Sequence, residues 1–287
     1  MRGTSRSSGF LQSESGPARR LLGDTYVMKI VVPVKRVAIL DTDFRLTDDG
    51  WDVSADTVSH ALNECDAYAC QMAVRLRQEC GEGEVVIVTI AEESGDEAIR
   101  ECLAMGADRG LRVWDQSLVV ADALAVARAL APVVEREAPD LVLCGARSSD
   151  AGFASTGIAL AEHLDLARVA VVTDITVSSS SLLVDREVEG GTRQRLRIGT
   201  PALLTIQGRG PRPPRPGREA FVEADGRPIE ILRLEALGAD EQDVDGAVGA
   251  WLLGLRRTTG PEAKMPVGDA SQLAERVIEM VAGGRDR

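Results

Sequence analysis

The chain has 287 residues, 44% of them apolar, with 33 Lys and Arg against 45 Asp and Glu. A net charge of −12 argues against nonspecific binding to nucleic acid or to an anionic membrane surface. Three Trp, two Tyr and four Phe are too few to build stacking platforms for bases, and no apolar run reaches the roughly 18 residues a bilayer span requires, so neither nucleic acid binding nor membrane insertion is expected.

Residues 1–27 are rich in Ser and Arg, with Arg2, Arg6, Arg19 and Arg20 set against Glu14 and Asp24. Such a stretch has the look of an organelle transit peptide, or of an extension upstream of a start at Met28. The second reading is preferred, because the apolar run 30–34 (IVVPV) begins a strand directly after Met28. Residues 44–53 alternate around Asp49-Gly50, the pattern of a hairpin with a tight turn. A helix is predicted over 64–79, where Ala69, Met72, Ala73 and Leu76 recur at helical spacing. Then follow a strand at 84–90, a helix at 96–105 closed by Gly106, and a strand at 110–113. A helix at 121–135, a strand at 141–144, a helix at 155–164 and a strand at 169–173 continue the alternation. Five parallel-type strands with intervening helices predict an α/β fold, a doubly wound, mainly parallel sheet with helices on both faces.

Past residue 180 the pattern changes. Strands at 182–188 and 193–197 flank Glu189-Gly190-Gly191, a hairpin signal, and 202–206 reads as one more strand. The Pro/Arg/Gly stretch 208–228 reads as incompatible with any buried element. A C-terminal arm follows, with one helix at 270–282 carrying Leu273, Val277, Met280 and Val281 on one face. That face must pack on a partner subunit or on the chain's own domain. The expected organisation is an extension (1–27), a nucleotide-binding α/β domain (28–207), and a partner-recognition loop with a C-terminal arm (208–287).

The five cysteines (Cys65, Cys70, Cys80, Cys102, Cys144) form no CxxC pair, and His60 and His163 form no paired ligand set. No metal site is expected, and reduced core thiols fit a reducing, bacterial cytoplasm. Open α/β sheets take ligands at the carboxyl ends of their strands, beside helix N-termini. Four such junctions stand out: Pro33 to Arg36, Leu62 to Asp66, Ile90-Ala91, and above all the loop Gly145 to Gly157 (GARSSDAGFASTG). That loop carries three glycines and several hydroxyls, and Ser155 or Thr156 opens a helix. The combination suits a phosphate or pyrophosphate, although it is neither GxGxxG nor a P-loop. Asn63 reads as the N-cap of the helix it precedes. There is no Ser/His/Asp set, no pair of catalytic carboxylates in one segment and no nucleophile elbow, so the constellation reads as binding without bond-making chemistry.

At these same residues the chain resembles the β (small) subunit of electron-transfer flavoproteins. The matching stretches are 28–36 (MKIVVPVKR), 62–76 (LNECDAYACQMAVRL), 97–110 (EAIRECLAMGADRG), 140–145 (DLVLCG) with the loop to Gly157, 185–191 (DREVEGG) and 201–205. The resemblance implies a heterodimer with a larger α subunit that holds most of the redox-active FAD. It also implies a buried AMP, or in one group of the family a second FAD, in this subunit. The family's AMP-binding positions fall on Pro33, on Asn63, Glu64, Cys65 and Asp66, on Ile90, and on the loop residues Gly145, Ala146, Arg147, Ser148, Ser149, Asp150, Ala151, Gly152, Phe153, Ala154, Ser155 and Thr156. A glutamate implicated in the motion of the flavin domain falls on Glu187. The loop that meets the flavin dehydrogenase donor falls on 208–228, with Arg218 at the position of a usual exposed Leu, Arg215 beside it and Phe221 as a substitute apolar anchor. A family Tyr near the flavin falls on Leu40. The implied function is electron carriage from a flavin dehydrogenase to a downstream acceptor, with no catalytic residue in this chain. The rivals are a stand-alone adenine-nucleotide sensor on a related fold, and a bifurcating version whose own FAD takes hydride from NADH.

Overall fold

The computed structural model describes residues 21–22, 25–116, 118, 122–178, 181–208, 213–238, 271–275 and 278. The elements run β1 (Leu21–Leu22), β2 (Thr25–Pro33), β3 (Arg36–Leu40), β4 (Val58–Leu62), α1 (Glu64–Cys80), β5 (Gly81–Ile90), α2 (Asp96–Ala104), β6 (Arg109–Val113), α3 (Ala123–Glu137), β7 (Leu141–Gly145), α4 (Thr156–His163), β8 (Ala167–Ser178), β9 (Ser181–Glu187), β10 (Arg193–Ile198), β11 (Ala202–Ile206), α5 (Arg218–Asp225) and β12 (Ile229–Leu232). One large sheet has the order β10-β9-β8-β11-β7-β2-β5-β6-β12, with β1 paired to β2; β3 and β4 form a separate antiparallel pair. From β8 to β12 every neighbouring pair in that order is parallel, while β9 and β10 add an antiparallel hairpin. This is the doubly wound, mainly parallel α/β architecture expected from the strand–helix alternation.

The strand sequences explain why the sheet is covered on both sides. Ile30, Val31 and Val32 are all fully buried, as are Val85, Val86, Ile87 and Val88 opposite them. Alternate residues of β2 and β5 therefore enter two cores. One core contains Ile30, Val32 and Ile87 with Ala69, Cys70, Ala73 and Leu76 of α1, while Val31, Val86 and Val88 meet Ala127, Leu130 and Val134 of α3 in the other. The helical spacing read at Ala69, Met72, Ala73 and Leu76 is thus the buried face of α1. Four of the cysteines are buried and Cys65 is half-buried, all free thiols. A hydrogen bond with Cys70, followed by burial, pushes the Cys102 thiol up; burial does the same at Cys144.

At the end of the sheet where β2, β5 and β6 begin, Glu137 is 5% exposed yet charged. Lys29 Nζ lies 2.7 Å from its carboxylate and Arg109 bonds it as well, while Arg109 Nε reaches Glu84 at 2.7 Å. Burial pushes the Glu137 carboxyl up, but the donors from Arg109 and Lys29 outweigh it and hold the group below the ordinary range.

Several sequence expectations are corrected. β2 starts at Thr25 instead of after Met28, with Tyr26 and Val27 already in register with Gly81 and Glu82. The predicted 44–53 hairpin reduces to one bridge, Leu46 to Val53, around a turn closed by Gly50 N–H on the Thr47 carbonyl. Residues 46–53 fall outside the main compact unit, in a second, smaller one. The stretch 208–228 does hold structure: Arg218–Asp225 is helical and buries Ala224 to 1% exposure. Its proline run stops at Pro216, which leaves REAFVEAD free to form a helix. Arg100 then fixes that helix by donating to the carbonyls of Ala224 and Arg227, and Arg227 donates to Ala107 O at 2.8 Å. β12, which the sequence reading lacks, adds a seventh parallel strand beside β6. In the predicted 270–282 helix, residues 271–275 and 278 are helical; Val277, Met280 and Val281 lie outside the described residues, as do Arg209 and Arg212. Among the described residues no helix is long and apolar enough to cross a membrane.

Candidate functional site

A cleft of about 210 Å³ opens where β2, β5 and β7 end and α4 begins. Its floor is set by main-chain bonds that the end of β2 makes beyond the ladder. Val34 N–H donates to Val88 O at 2.8 Å, and the buried Thr89 hydroxyl donates to Val34 O at 2.9 Å. Pro33 sits at the end of β2 and lines the cleft, so its missing N–H costs no bond there.

Asp66, on the first turn of α1, ties three segments together. Its carboxylate accepts from Lys35 N–H at 2.8 Å, and from the Asn63 side chain and the Gly145 N–H. The side chain is 5% exposed, and Lys35 Nζ turns instead to Asp150, at 2.7 Å. Burial therefore pushes the Asp66 carboxyl up to about 7, against the pull of those donors. An unfolded Asp titrates near ~3.9. Stability from this group is complete below that value and is lost as pH rises through about 7. Asp66→Asn removes the titration, so the melting temperature of the parent should fall relative to the variant between pH 4 and pH 7. Thermal melts across that range check it, and a constant difference would refute the burial argument.

Asn63 occupies the N-cap position of α1 but its side chain makes no capping bond. It reaches instead to the loop after β7: Nδ2 donates to Arg147 O at 2.9 Å, and Oδ1 accepts from Ser149 N–H at 3.2 Å. The local cap expected from sequence is replaced by a clamp across 84 residues. The loop is further held by Ala146 N–H on Ile206 O and by Asp150 on Lys35. At Asp150 burial pushes the carboxyl up, but hydrogen bonds, the first from Lys35, outweigh it and hold the group low.

The loop glycines divide by function. A Cβ on Gly145 would lie 1.9 Å from Asp66 Oδ1, and one on Gly157 would lie 2.9 Å from Thr205 Cγ2 and 3.2 Å from Cys144. Both admit packing within the protein. Gly152, at φ +67°, has only Ser148 O nearby, at 3.9 Å. Ser155 makes no side-chain capping bond at the start of α4, and both it and Thr156 line the cleft, so first-turn N–H groups remain for an anion.

Of the candidate residues, Pro33, Asn63, Asp66 and Ile90 line this cleft, joined from the loop by Gly145 to Ser148, Ala151 and Phe153 to Thr156. Ser149, Asp150 and Gly152 belong to the loop but not to the lining. Glu64 is exposed, and Cys65 directs its thiol to Gln207 O at 3.8 Å. Sequence reasoning missed one whole wall. Asp122 caps α3 by accepting from Leu124 and Ala125 N–H, which sets Ala123, Val126 and Leu130 along the cleft, with Val88 of β5 below. The Asp at the start of a helix following a strand was the available signal. Elsewhere, Glu187 ends β9, exposed and in register with Arg193. Arg215 lies with its guanidinium 5.7 Å from the centre of the Phe221 ring, and Arg218 is the exposed first residue of α5. Among the described residues no cluster of metal-ligating side chains occurs.

A family profile described as electron transfer flavoprotein domain matches residues 50–232. An "Electron transfer flavoprotein subunit beta" of Methylophilus methylotrophus is 37% identical over 260 residues, 88% of this chain and 98% of that protein. A protein of the same description from Bradyrhizobium diazoefficiens is 33% identical over 252 residues, 87% of this chain and 97% of its own length. The human one is 34% identical over 218 residues, 74% of this chain and 84% of that protein. Built on an α/β sheet with a strand-end cleft and aligned with these proteins over most of its length, the chain belongs to the electron transfer flavoprotein family as a β subunit, an electron carrier.

Proposed function

We propose that this chain pairs with an FAD-holding α subunit and binds an adenine nucleotide, AMP or a second FAD, in the cleft at the ends of β2, β5 and β7. The observation that carries the reading is the lining itself: strand ends, an α4 start without a side-chain cap, and apolar walls from Val88, Val126 and Leu130. This donor set fits a nucleotide. Backbone N–H groups at Ser155 and Thr156 suit a phosphate, and the apolar walls suit a planar ring that must leave water. Arg147 and Lys35 are the cations of the lining, and Lys35 is already paired with Asp150. The FAD of the complex supplies the redox chemistry; the residues named here bind, orient and exclude water. Electrons enter from a flavin dehydrogenase that meets the face bearing Arg218 and the stacked Arg215–Phe221 pair, and leave for a downstream acceptor.

The test is to co-produce the chain with an α subunit encoded beside it, denature the purified complex and weigh the released nucleotides. One FAD with one AMP, or two FAD, per heterodimer is expected; a complex that releases FAD alone in unit amount overturns the cleft assignment. In the same complex, Arg215→Glu with Arg218→Glu should slow reduction by the dehydrogenase at low ionic strength with FAD content unchanged. Equal rates would remove this face from the docking surface.

A further inference from the structure

α5 bears Arg218 and Phe221 of the docking face, and little of it is packed. Ala224 is its one buried residue. A cavity of about 600 Å³ undercuts the helix, with Phe221, Asp225 and Arg215 on one side and Arg36, His60 and Glu97 on the other. Arg218 is exposed, and Val222, one helical turn on, is 66% exposed. Apolar packing therefore does not fix the direction in which α5 points. What fixes it is an exchange of arginines between the ends of two helices. Arg100, half-buried on α2, donates from Nη1 to Ala224 O at 2.5 Å and to Arg227 O, the carbonyls where α5 ends. Arg227, just past α5, donates from Nη1 to Ala107 O at 2.8 Å, just past α2, and from Nη2 to Glu223 at 3.0 Å. Each guanidinium thus meets the C-terminal end of the other helix, where carbonyls lack intrahelical partners and the dipole favours a cation. Ala224 O also accepts from Arg227 N–H at 3.1 Å, so the turn that leaves α5 closes on the same carbonyl that Arg100 holds.

Resting on the docking face assigned above, we propose that Arg100 is the positioning residue for electron entry: through its two bonds to the end of α5 it holds Arg218 and the Arg215–Phe221 pair in the orientation that the donor dehydrogenase meets, without touching the donor itself. Docking onto a helix already held costs less conformational entropy than docking onto one that must be ordered in the encounter. Loss of the clasp therefore weakens association and leaves the electron step within the docked complex as it was.

The experiment uses the purified heterodimer and its donor dehydrogenase, with the reduction rate followed against heterodimer concentration and amide hydrogen exchange read by mass. Arg100→Met should raise KM for the heterodimer about tenfold and leave kcat within twofold of the parent. Amides of α5 should exchange about tenfold faster while those of β2 and β5 stay as in the parent. Arg100→Lys should keep KM within threefold, since one ammonium carries protons enough for both carbonyls. Arg227→Met cuts the return half of the clasp and should shift KM and exchange in the same direction, which serves where Arg100→Met does not fold. KM of parent and Arg100→Met should rise in parallel with ionic strength, because the charges that meet the donor are still present. Faster exchange in α5 with an unchanged KM overturns the proposal. A raised KM without faster exchange, or a flattened salt dependence, also overturns it, since Arg100 would then meet the donor directly. If Arg215→Glu with Arg218→Glu leaves the rate unchanged, the docking face falls and the proposal falls with it. If that pair slows reduction while Arg100→Met and Arg227→Met do not, the proposal alone is overturned.

Discussion

Gly83→Ala should abolish soluble folded protein. Gly83 lies in β5 directly opposite Met28 of β2, in the middle of the parallel run of the sheet. Its φ is +146°, and a Cβ there would stand 2.2 Å from Met28 O and 3.1 Å from Met28 C and N. These are backbone atoms inside a ladder, so relief requires the two strands to separate at that point. Met28 is fully buried, and the adjoining ladder carries Ile30 to Val32 into both cores. The cost combines a forbidden backbone region with lost strand pairing and exceeds about 4 kcal/mol, a large fraction of the ~5–15 kcal/mol that holds a domain folded. Gly199→Ala is the control, since nothing lies within 4 Å of a Cβ there and its φ is not in the left-handed region. Urea melts of the two variants decide it: a Gly83→Ala midpoint within about 0.3 M of the Gly199→Ala midpoint would refute the clash.

Gly145→Ala should dismantle the cleft while leaving the sheet in place. The added methyl would sit 1.9 Å from Asp66 Oδ1 and 3.1 Å from Asp66 N. To admit it the carboxylate must leave, stranding the N–H groups of Lys35 and Gly145 that it now satisfies. Each orphaned buried donor costs about 1–3 kcal/mol, and the hold of α1 on the ends of β2 and β7 goes with it. Nucleotide content of the purified complex should drop below a tenth of the parent, with secondary structure retained. Adding Asp66→Ala should restore part of the lost stability, because the carboxylate is the group that clashes; the remaining 3.1 Å contact to the backbone keeps the rescue incomplete. A double-mutant cycle measures that coupling, and additive effects would show that the two residues do not collide.

How much of this was legible beforehand depends on how far apart in the chain the relevant partners stand. The face of α1 was readable because Ala69, Met72, Ala73 and Leu76 declare it within two turns, and all four are buried. The strand-end loop after β7 was readable because glycines, hydroxyls and a helix start fall within thirteen residues. The rest turned on long-range partners. Asn63 carries an ordinary N-cap signature, yet its amide is committed to Arg147 and Ser149, and nothing near residue 63 signals that preference. Asp66 looks like a first-turn carboxylate of the kind a helix dipole favours; its burial exists because position 145, far along the chain, has no side chain. Leu130 is core and Val126 packs half-buried against it, so the cleft wall carries no signal distinct from the apolar face of α3. β12 was hidden by length: four residues after a Pro/Arg stretch carry little pattern, and only the open edge of β6 turns IEIL into a strand. β3 and β4 were missed for the opposite reason, since most of their residues are not buried and show no alternation against a core.

The position of β11 bears on how the chain is made. β11 lies between β7 and β8, parallel to both, and all five of its residues are buried. It is the strand that joins the hairpin sheet β8-β9-β10 to the run β7-β2-β5-β6, yet it is synthesised after all of them. A nascent chain leaving the ribosome therefore carries the strands of two part-sheets with facing open edges, Leu141 to Gly145 on one and Ala167 to Val172 on the other, while β12 is also still to come. The keystone arrives only when residues 202–206 emerge. At the seam, Thr205 Oγ1 accepts from Val171 N–H at 3.0 Å, where Val171 is held at φ +61°. A β-branched residue has no reason of its own to adopt that conformation, so this part of β8 takes its final shape as β11 inserts. Chains interrupted before residue 202 carry both edges permanently unpaired, the condition under which a strand edge recruits a second copy and aggregates.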